Sequence, residues 1–556
     1  MAHSNSSPDL ESLFALSSEG LSESARKTAL QTLSALMAQQ RNRMLGYQAN
    51  QFGMYGDLAD YLCMHMNNIG DPFTAGNYTL NSKDAERAVL DFFASLWNAD
   101  VPHDANNDES YWGYVLTMGC TEGNLYGLWN ARDYLAGKVL LEDGETTESE
   151  TDAGRIGLLG RVMRRLMWHQ APLPTGNQHA FTPVAFYSED THYSVIKIMR
   201  ILGLKTFYEL GTNEYPHQCP LPGSRGIWPR EVPSEGGALG PGSIDIAALT
   251  QLVAFFAERG YPILLNLNYG TTFKGAYDDV AAIGEALQPI FQRTGLDSRP
   301  VIYDPDTGAS DTRSGFWIHV DGALGATYMP FLEKAYEQGR IRERGPVFDF
   351  RLPFVHSIAT SGHKWIGAPV PTGIYMTRVK YQLRPPTDPD YIGSPDTTLA
   401  GSRSGLAPIV LWYYLACHSH DAQIDRALRC EAMAAFAEGR LRWLQETLKQ
   451  DLWVHRSPLS LAVLFRQPNS EIVAKYTLSC EGIPVGGERR SYAHIYMMEH
   501  VTEEKIEALI DDLCQPGAFP EPTGSEPEPP LASSPVALPS AGRRLSHVPV
   551  TGRGWR

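Results

Sequence analysis

The chain of 556 residues is 43% hydrophobic and 10% aromatic, with a net charge of −16. Its length allows roughly three to four domain-sized pieces, and its acidic balance argues against nucleic acid or an anionic membrane as the main partner. No apolar run approaches the roughly 20 residues that span a bilayer, no secretory signal opens the chain, and seven scattered cysteines without CxxC spacing argue against a disulfide framework or a zinc site; a cytoplasmic, globular protein is expected.

Residues 1–20 are polar and Ser-rich and read as a disordered N-terminus. An N-terminal helical segment over 21–110 follows. Residues 21–46 place Ala25, Leu30, Leu33, Leu36 and Met37 on one stripe, which predicts an amphipathic helix. Residues 60–79 run from a helix into an Asn/Gly/Pro loop, and 82–98 form a second amphipathic helix with Ser82 as N-cap. From 111 the pattern turns to alternating strands and helices. This predicts an α/β domain over 111–380, with a mostly parallel sheet covered on both faces. Tyr114–Thr117 is strand-like, 118–124 is a tight turn, and 125–135 a helix. The acidic run at 141–154 reads as a surface loop. Further strands are expected at 183–188, 263–269, 316–320, 354–360 and 373–379. Residues 381–513 suit a small α+β domain. It holds a polar loop at 391–405, helices at 407–417 and 422–449, short strands at 459–465 and 493–497, and a last helix with Thr502 as N-cap. Residues 514–556 are rich in Pro, Ser and Gly and read as a disordered tail.

His192, Thr272, Asp321 and Lys364 each follow the C-terminal end of a predicted strand, where open α/β sheets place ligands. The Gly/Thr turn at 119–124 opens a helix at the end of another, which makes a phosphate or carboxylate site. Lys364 is flanked by Ile358, Trp365 and Ile366. Desolvation there lowers a lysine's pKa, and a neutral amine is what forms a Schiff base. A buried lysine, a strand-end aspartate, a flat imidazole and a phosphate cradle are the parts that hold pyridoxal 5′-phosphate (PLP). The lysine forms the imine, and the carboxylate keeps the pyridine nitrogen protonated, which makes the ring an electron sink. His192 can stack on one ring face, and Ala323 lets the other pack closely. Singly, each has a plainer reading: Lys364 snorkelling off a strand end, His192 a satisfied structural histidine, Asp321 a strand-end cap.

The stretches GCTEGNLYG, EDTHYSV, NYGTTFKGAYDD, HVDGALGA and SGHKWIG occur in the order and spacing of the group II PLP-dependent amino-acid decarboxylases. Over about residues 45–510 the chain resembles the histidine decarboxylase-like and plant serine decarboxylase-like branch of that family, and in particular the actinobacterial valine decarboxylase-type members. The resemblance implies the PLP-dependent transferase fold type I, with a seven-stranded-type sheet, and a homodimer with shared active sites. By position, Lys364 matches the Schiff-base lysine, Asp321 the partner of the pyridine nitrogen, and His192 the ring-stacking histidine. Gly119, Cys120 and Thr121 match the phosphate turn, and Ser361 and His363 further cofactor neighbours. Thr272 matches a residue near the phenolic oxygen, and Asp278 a supporting acid. Gly401 and Ser402 match a loop that reaches the neighbouring subunit's phosphate. Cys120 departs from the hydroxyl or small residue common at its position, so one cofactor contact is expected to be missing. Tyr391 is the nearest candidate for the protonating tyrosine. The expected activity is decarboxylation of an L-amino acid to a primary amine and carbon dioxide. Cys63, Met64, Met66 and Phe73 favour an aliphatic substrate such as L-valine. The alternatives are L-histidine, and a PLP-dependent aldehyde synthase or other PLP lyase. A non-catalytic interaction protein is opposed by the intact Lys364 and Asp321.

Overall fold

The computed structural model describes residues 10–53, 55–142, 166–382, 384, 389–485 and 488–520. The runs Ile263–Asn268, Phe316–Asp321 and Ser357–Ser361 are buried almost throughout, as strands covered on both faces must be. They form the centre of a seven-stranded sheet. Its order is Tyr111–Leu116, Gly373–Arg378, Ser357–Ser361, Phe316–Asp321, Ile263–Asn268, Val184–Phe186, Lys205–Thr206. Neighbours pair in parallel, except that Gly373–Arg378 runs antiparallel to both of its partners. The register sets Asn268 beside Asp321 and Asp321 beside Ala359, so the C-terminal ends of the central strands share one edge. The expected α/β fold of type I is present.

Alternating residues on the strands supply two cores. Ile318, Val320 and Ile358 pack with Val280, Ile283 and Leu287 on one face. Trp317 and Leu264 pack with Leu128, Ala131 and Leu135 on the other. The helix Cys120–Leu135 lies close on that second face because it carries glycines there. A Cβ on Gly123 would stand 2.7 Å from the Ala359 Cβ, and one on Gly127 2.7 Å from His319 Nδ1. A three-stranded antiparallel sheet (Ala462–Arg466, Glu488–Tyr496, Ser479–Val485) packs with His420–Leu448 and Glu503–Leu513 into a separate core.

Several local expectations change. The phosphate-turn helix starts at Cys120 rather than 125. Residues 60–79 open with a 3₁₀ helix, Gly56–Cys63, rather than an α-helix. Leu10–Phe14 is a short helix inside the segment expected to be disordered. At the other end Ala518 is buried, and its carbonyl accepts from Asn469 N at 2.8 Å. The rest of the expected tail, 521–556, lies outside the described residues, as do the first nine residues and most of the acidic loop. Ser82 makes no side-chain cap; its hydroxyl donates to the Gly405 carbonyl at 2.7 Å. Helix Glu23–Arg43 buries only Ala29, and its predicted apolar stripe is covered only in part: Ala25, Leu33 and Leu36 are half-buried, while Leu30 is 61% and Met37 55% exposed.

Three histidines are sealed in these cores. Burial holds His319, His356 and His494 below their ordinary 6.5, at about 4, 3 and 4. Unfolded, they take up protons near pH 6.5, so the unfolded state binds more protons from there down to about pH 4. Stability therefore falls with pH in that window, by up to about 1.4 kcal/mol per pH unit for each histidine. Asp278, raised to about 7 by burial, opposes one of the three. The thermal midpoint of the cofactor-free protein is expected to be lower at pH 5 than at pH 7. An equal or higher midpoint at pH 5 would contradict the histidine account.

Candidate active site

The sheet edge at the strand C-termini closes around a cavity of about 160 Å³. Lys364, Asp321, His192, Thr272, Ala323, Ser361, His363, Cys120 and Thr121 all line it. A larger hollow of about 760 Å³, beside Asp133, Lys138 and Arg313, contains none of these groups.

Asp321 ends its strand as a buried carboxylate. Asn124 Nδ2 donates to its Oδ2 at 2.7 Å. The Cys120 thiol and the Ala323 amide donate to its Oδ1, each at 3.2 Å. Burial, reinforced by Asp321, keeps the Cys120 pKa well above its ordinary value, so the thiol stays protonated and donates. The cysteine that departs from the family pattern thus spends its proton on Asp321. Across the cavity, burial lowers the Lys364 pKa, partly countered by the Asp321 charge. Losing the ammonium proton is therefore easier here than for a lysine in water.

Gly119 precedes the helix Cys120–Leu135 with φ +72° and, as its N-cap residue, has no side chain to cap it. Ser361 Oγ accepts from Cys120 N at 3.0 Å and so ties the turn before Lys364 to the helix start. A Cβ on Gly119 would lie 2.4 Å from His363 Cε1. The open helix start offers amides and the positive dipole end to an anion.

His192 caps its own helix. Ser194 Oγ lies 2.7 Å from its Nδ1, and the Ser194 amide donates to Nδ1 at 3.4 Å. The proton is therefore placed on Nε2. Burial lowers the ring's pKa. The preceding turn hangs on Asn268, whose Nδ2 donates to Ser188 Oγ and Thr191 Oγ1, both at 3.0 Å. Asn268 is held in turn by Asp278, whose carboxylate accepts from the amides of Asn268 at 2.6 Å and Ile244 at 2.7 Å. Thr272 offers its side chain at the exposed rim, while its carbonyl accepts from Gln48 Nε2 and Tyr496 OH, both at 3.0 Å.

Other expected residues stay apart. No residue of 391–405 lines the cavity, and Tyr391 is 80% exposed. A Cβ on Gly401 would meet nothing within 4 Å, and Ser402 Oγ accepts from Asn67 Nδ2 at 3.2 Å. Met64, Met66 and Ser402 instead line a separate hollow of about 320 Å³. Phe73 is stacked on His103 at 3.6 Å between ring centroids. Sequence reasoning also missed two groups. Asn124 was legible as the residue one helical turn after Cys120, had the helix start been placed correctly. Asn268 carried no signal beyond its place at a strand end.

The pyridoxal-dependent decarboxylase conserved domain matches residues 143–406. Serine decarboxylase 2 of Oryza sativa subsp. japonica is 30% identical over 473 residues, covering 85% of this chain and 74% of the relative. The chain belongs to the pyridoxal-dependent decarboxylase family. Histidine decarboxylase of Pseudomonas entomophila (strain L48) is also 30% identical, over 84% of this chain and 85% of the relative. Among solved structures, L-methionine decarboxylase from Streptomyces sp. 590 is 45% identical with a TM-score of 0.82, covering 90% of this chain and 98% of that one.

The chain is therefore an enzyme that decarboxylates an amino acid, and its cofactor is pyridoxal phosphate. The cavity suits that group: an open helix start for the phosphate, a lowered-pKa amine for the aldehyde, and an oriented carboxylate for the ring nitrogen. Gly119→Ala tests the cradle. The new methyl must displace His363 from a backbone that disfavours any Cβ, at a cost of about 1–3 kcal/mol. Chemical denaturation is expected to show that loss together with weaker cofactor retention on dialysis. Unchanged values in both would show that the turn is not tight.

Proposed function

We propose that this enzyme decarboxylates an apolar, aliphatic L-amino acid, using Lys364, Asp321 and His192 as its central groups. The observation that carries the site assignment is their convergence, from strand ends far apart in sequence, on one small cavity beside an open helix start. The substrate reading rests on the 45% identity to an L-methionine decarboxylase, which favours L-methionine over L-valine. L-Histidine has only the weaker support of the 30% relatives.

When bound, pyridoxal phosphate supplies the electron sink that accepts the pair released as the bond from Cα to the carboxylate breaks. The chain does the rest. Lys364 presents an amine whose pKa burial lowers, able to hold the cofactor covalently and to take it back after each turnover. Asp321 holds a negative charge where the ring nitrogen must stay protonated. His192 keeps its proton on Nε2, able to bind the departing carboxylate while its neutral ring excludes water. Thr121 and the amides left open at the helix start would hold the phosphate. These charges act in a water-poor cavity, where each is worth more than in bulk solvent.

We further propose that the enzyme works as a homodimer. Three features support this: the exposed Leu30 and Met37 on Glu23–Arg43, the exposed Tyr391, and a Met64, Met66 and Ser402 hollow that shares no lining residue with the chain's own cavity. Light scattering reads the assembly directly. Mixing Lys364→Ala with a variant deleted over 396–402 is expected to recover about a quarter of the wild-type activity if one subunit completes the other's site; no recovery would place both parts in the same chain's site.

The substrate test is product analysis. The holoenzyme is incubated with each of the twenty amino acids, and amine and carbon dioxide are followed by mass spectrometry. The expected result is 3-(methylthio)propylamine from L-methionine, abolished in Lys364→Ala. Isobutylamine as the main product would restore L-valine, and histamine would refute the aliphatic reading. An aldehyde in place of an amine would change the reaction class. Asp321→Asn removes the negative charge and is expected to lower kcat by about 10²–10³-fold, with near-normal turnover counting against its role.

A further inference from the structure

Resting on the assignment of Asp321 above, the inference concerns what lies behind that carboxylate. Asn124 donates its Nδ2 proton to Asp321, and its Oδ1 lies 3.0 Å from His319 Nε2. On the other side of the ring, His319 Nδ1 lies 2.8 Å from Ser357 Oγ. Ser357 Oγ also accepts from Trp317 Nε1 at 3.1 Å. All of these groups are buried.

The two ends set the direction of every bond. An indole can only donate, and an ionised carboxylate can only accept. Asn124 donates to Asp321 and so leaves its Oδ1 to accept, which places the His319 proton on Nε2. Nδ1 of the neutral ring then accepts from the Ser357 hydroxyl, whose oxygen accepts from Trp317 Nε1. The Asn124 amide cannot flip without setting its oxygen against the Asp321 oxygen. Burial keeps His319 neutral, at about 4, so this proton arrangement holds through the neutral range.

We propose that His319 and Asn124 are positioning residues for Asp321, forming with Ser357 a one-way hydrogen-bond relay that presents the carboxylate to the cofactor's ring nitrogen as an oriented, unneutralised anion. Every donor to Asp321, whether Asn124, Cys120 or Ala323, is uncharged. A cationic donor would fix the plane equally well but would cancel the charge that the ring nitrogen needs. The backbone is shaped for the relay. His319 and Asp321, two residues apart on one strand, share a sheet face. Gly127 leaves the space that His319 occupies, since a Cβ there would lie 2.7 Å from its Nδ1.

The test compares two ligands on the full-length apoprotein: pyridoxal 5′-phosphate, and its carbocyclic analogue with CH in place of the ring nitrogen. Affinities are read from absorbance titrations. Wild type is expected to prefer the natural cofactor by about 10–100-fold, the worth of one charge-assisted hydrogen bond. In His319→Phe and Asn124→Leu the preference is expected to fall to within about threefold, because the carboxylate is no longer aimed. A merely structural role would weaken both ligands together and leave their ratio at the wild-type value, and that outcome in a folded variant overturns the relay. If His319→Phe does not fold, Asn124→Leu, close in shape to the wild-type side chain, decides alone. A wild-type protein that does not distinguish the two ligands overturns the assignment of Asp321 itself, and the relay with it.

Discussion

A lysine amine and a carboxylate must share one small, desolvated cavity, and they need opposite things from it. Lys364 is useful only if it can lose its proton, while Asp321 is useful only if it stays charged. Burial by itself raises both neutral populations. The chain breaks the symmetry with hydrogen bonds. Asp321 receives donors on both oxygens, from Asn124, Cys120 and Ala323. Lys364 Nζ has no hydrogen-bond acceptor among the described residues, and the more distant charge of Asp321 is what opposes its deprotonation. The same low dielectric then serves both groups.

The frame around the cavity follows from that need for fixed donors. The helix that brings Cys120 and Asn124 must lie close on the sheet, and glycines at 123 and 127 permit it. The His192 turn must not wander, and Asn268, held by Asp278, spans it with two hydrogen bonds. Further out, the 391–405 segment is clamped to the N-terminal segment rather than to the cavity. Arg403 pairs with Glu86 where both side chains are wholly buried, and its Nη2 donates to the Gly70 carbonyl at 3.1 Å. Removing one member of such a pair leaves a buried charge uncompensated, at about 3–5 kcal/mol. The clamp therefore holds the loop base rigid while leaving its tip exposed.

Much of this was readable along the chain. The apolar runs before His192, Asp321 and Lys364 marked strands, and a polar residue just past such a run marked the edge where ligands bind. Lys364, Asp321 and His192 came out of that local grammar, as did the glycine turn at 119–121. Strand boundaries moved by a few residues because pairing with neighbours, rather than composition, sets where a ladder ends. The helix after Gly119 was entered late because its first turn is glycine- and threonine-rich, which reads locally as a turn; packing on the sheet overrides that preference.

Periodicity and turn chemistry act over a few residues, so they were enough to determine the α/β class, the order of the elements and which side chains sit at strand ends. They could not determine partners. Asn124 meets Asp321 across 197 residues of sequence, and His319 meets Asn124 across 195. The stripe on Glu23–Arg43 reads as core by spacing, yet the chain leaves Leu30 and Met37 exposed. Met64 and Met66 read as lining for the cavity, yet they lie in another hollow. A hydrogen bond between distant residues depends on the position of two backbones to within a fraction of an ångström, and only the packed sheet and helix supply that.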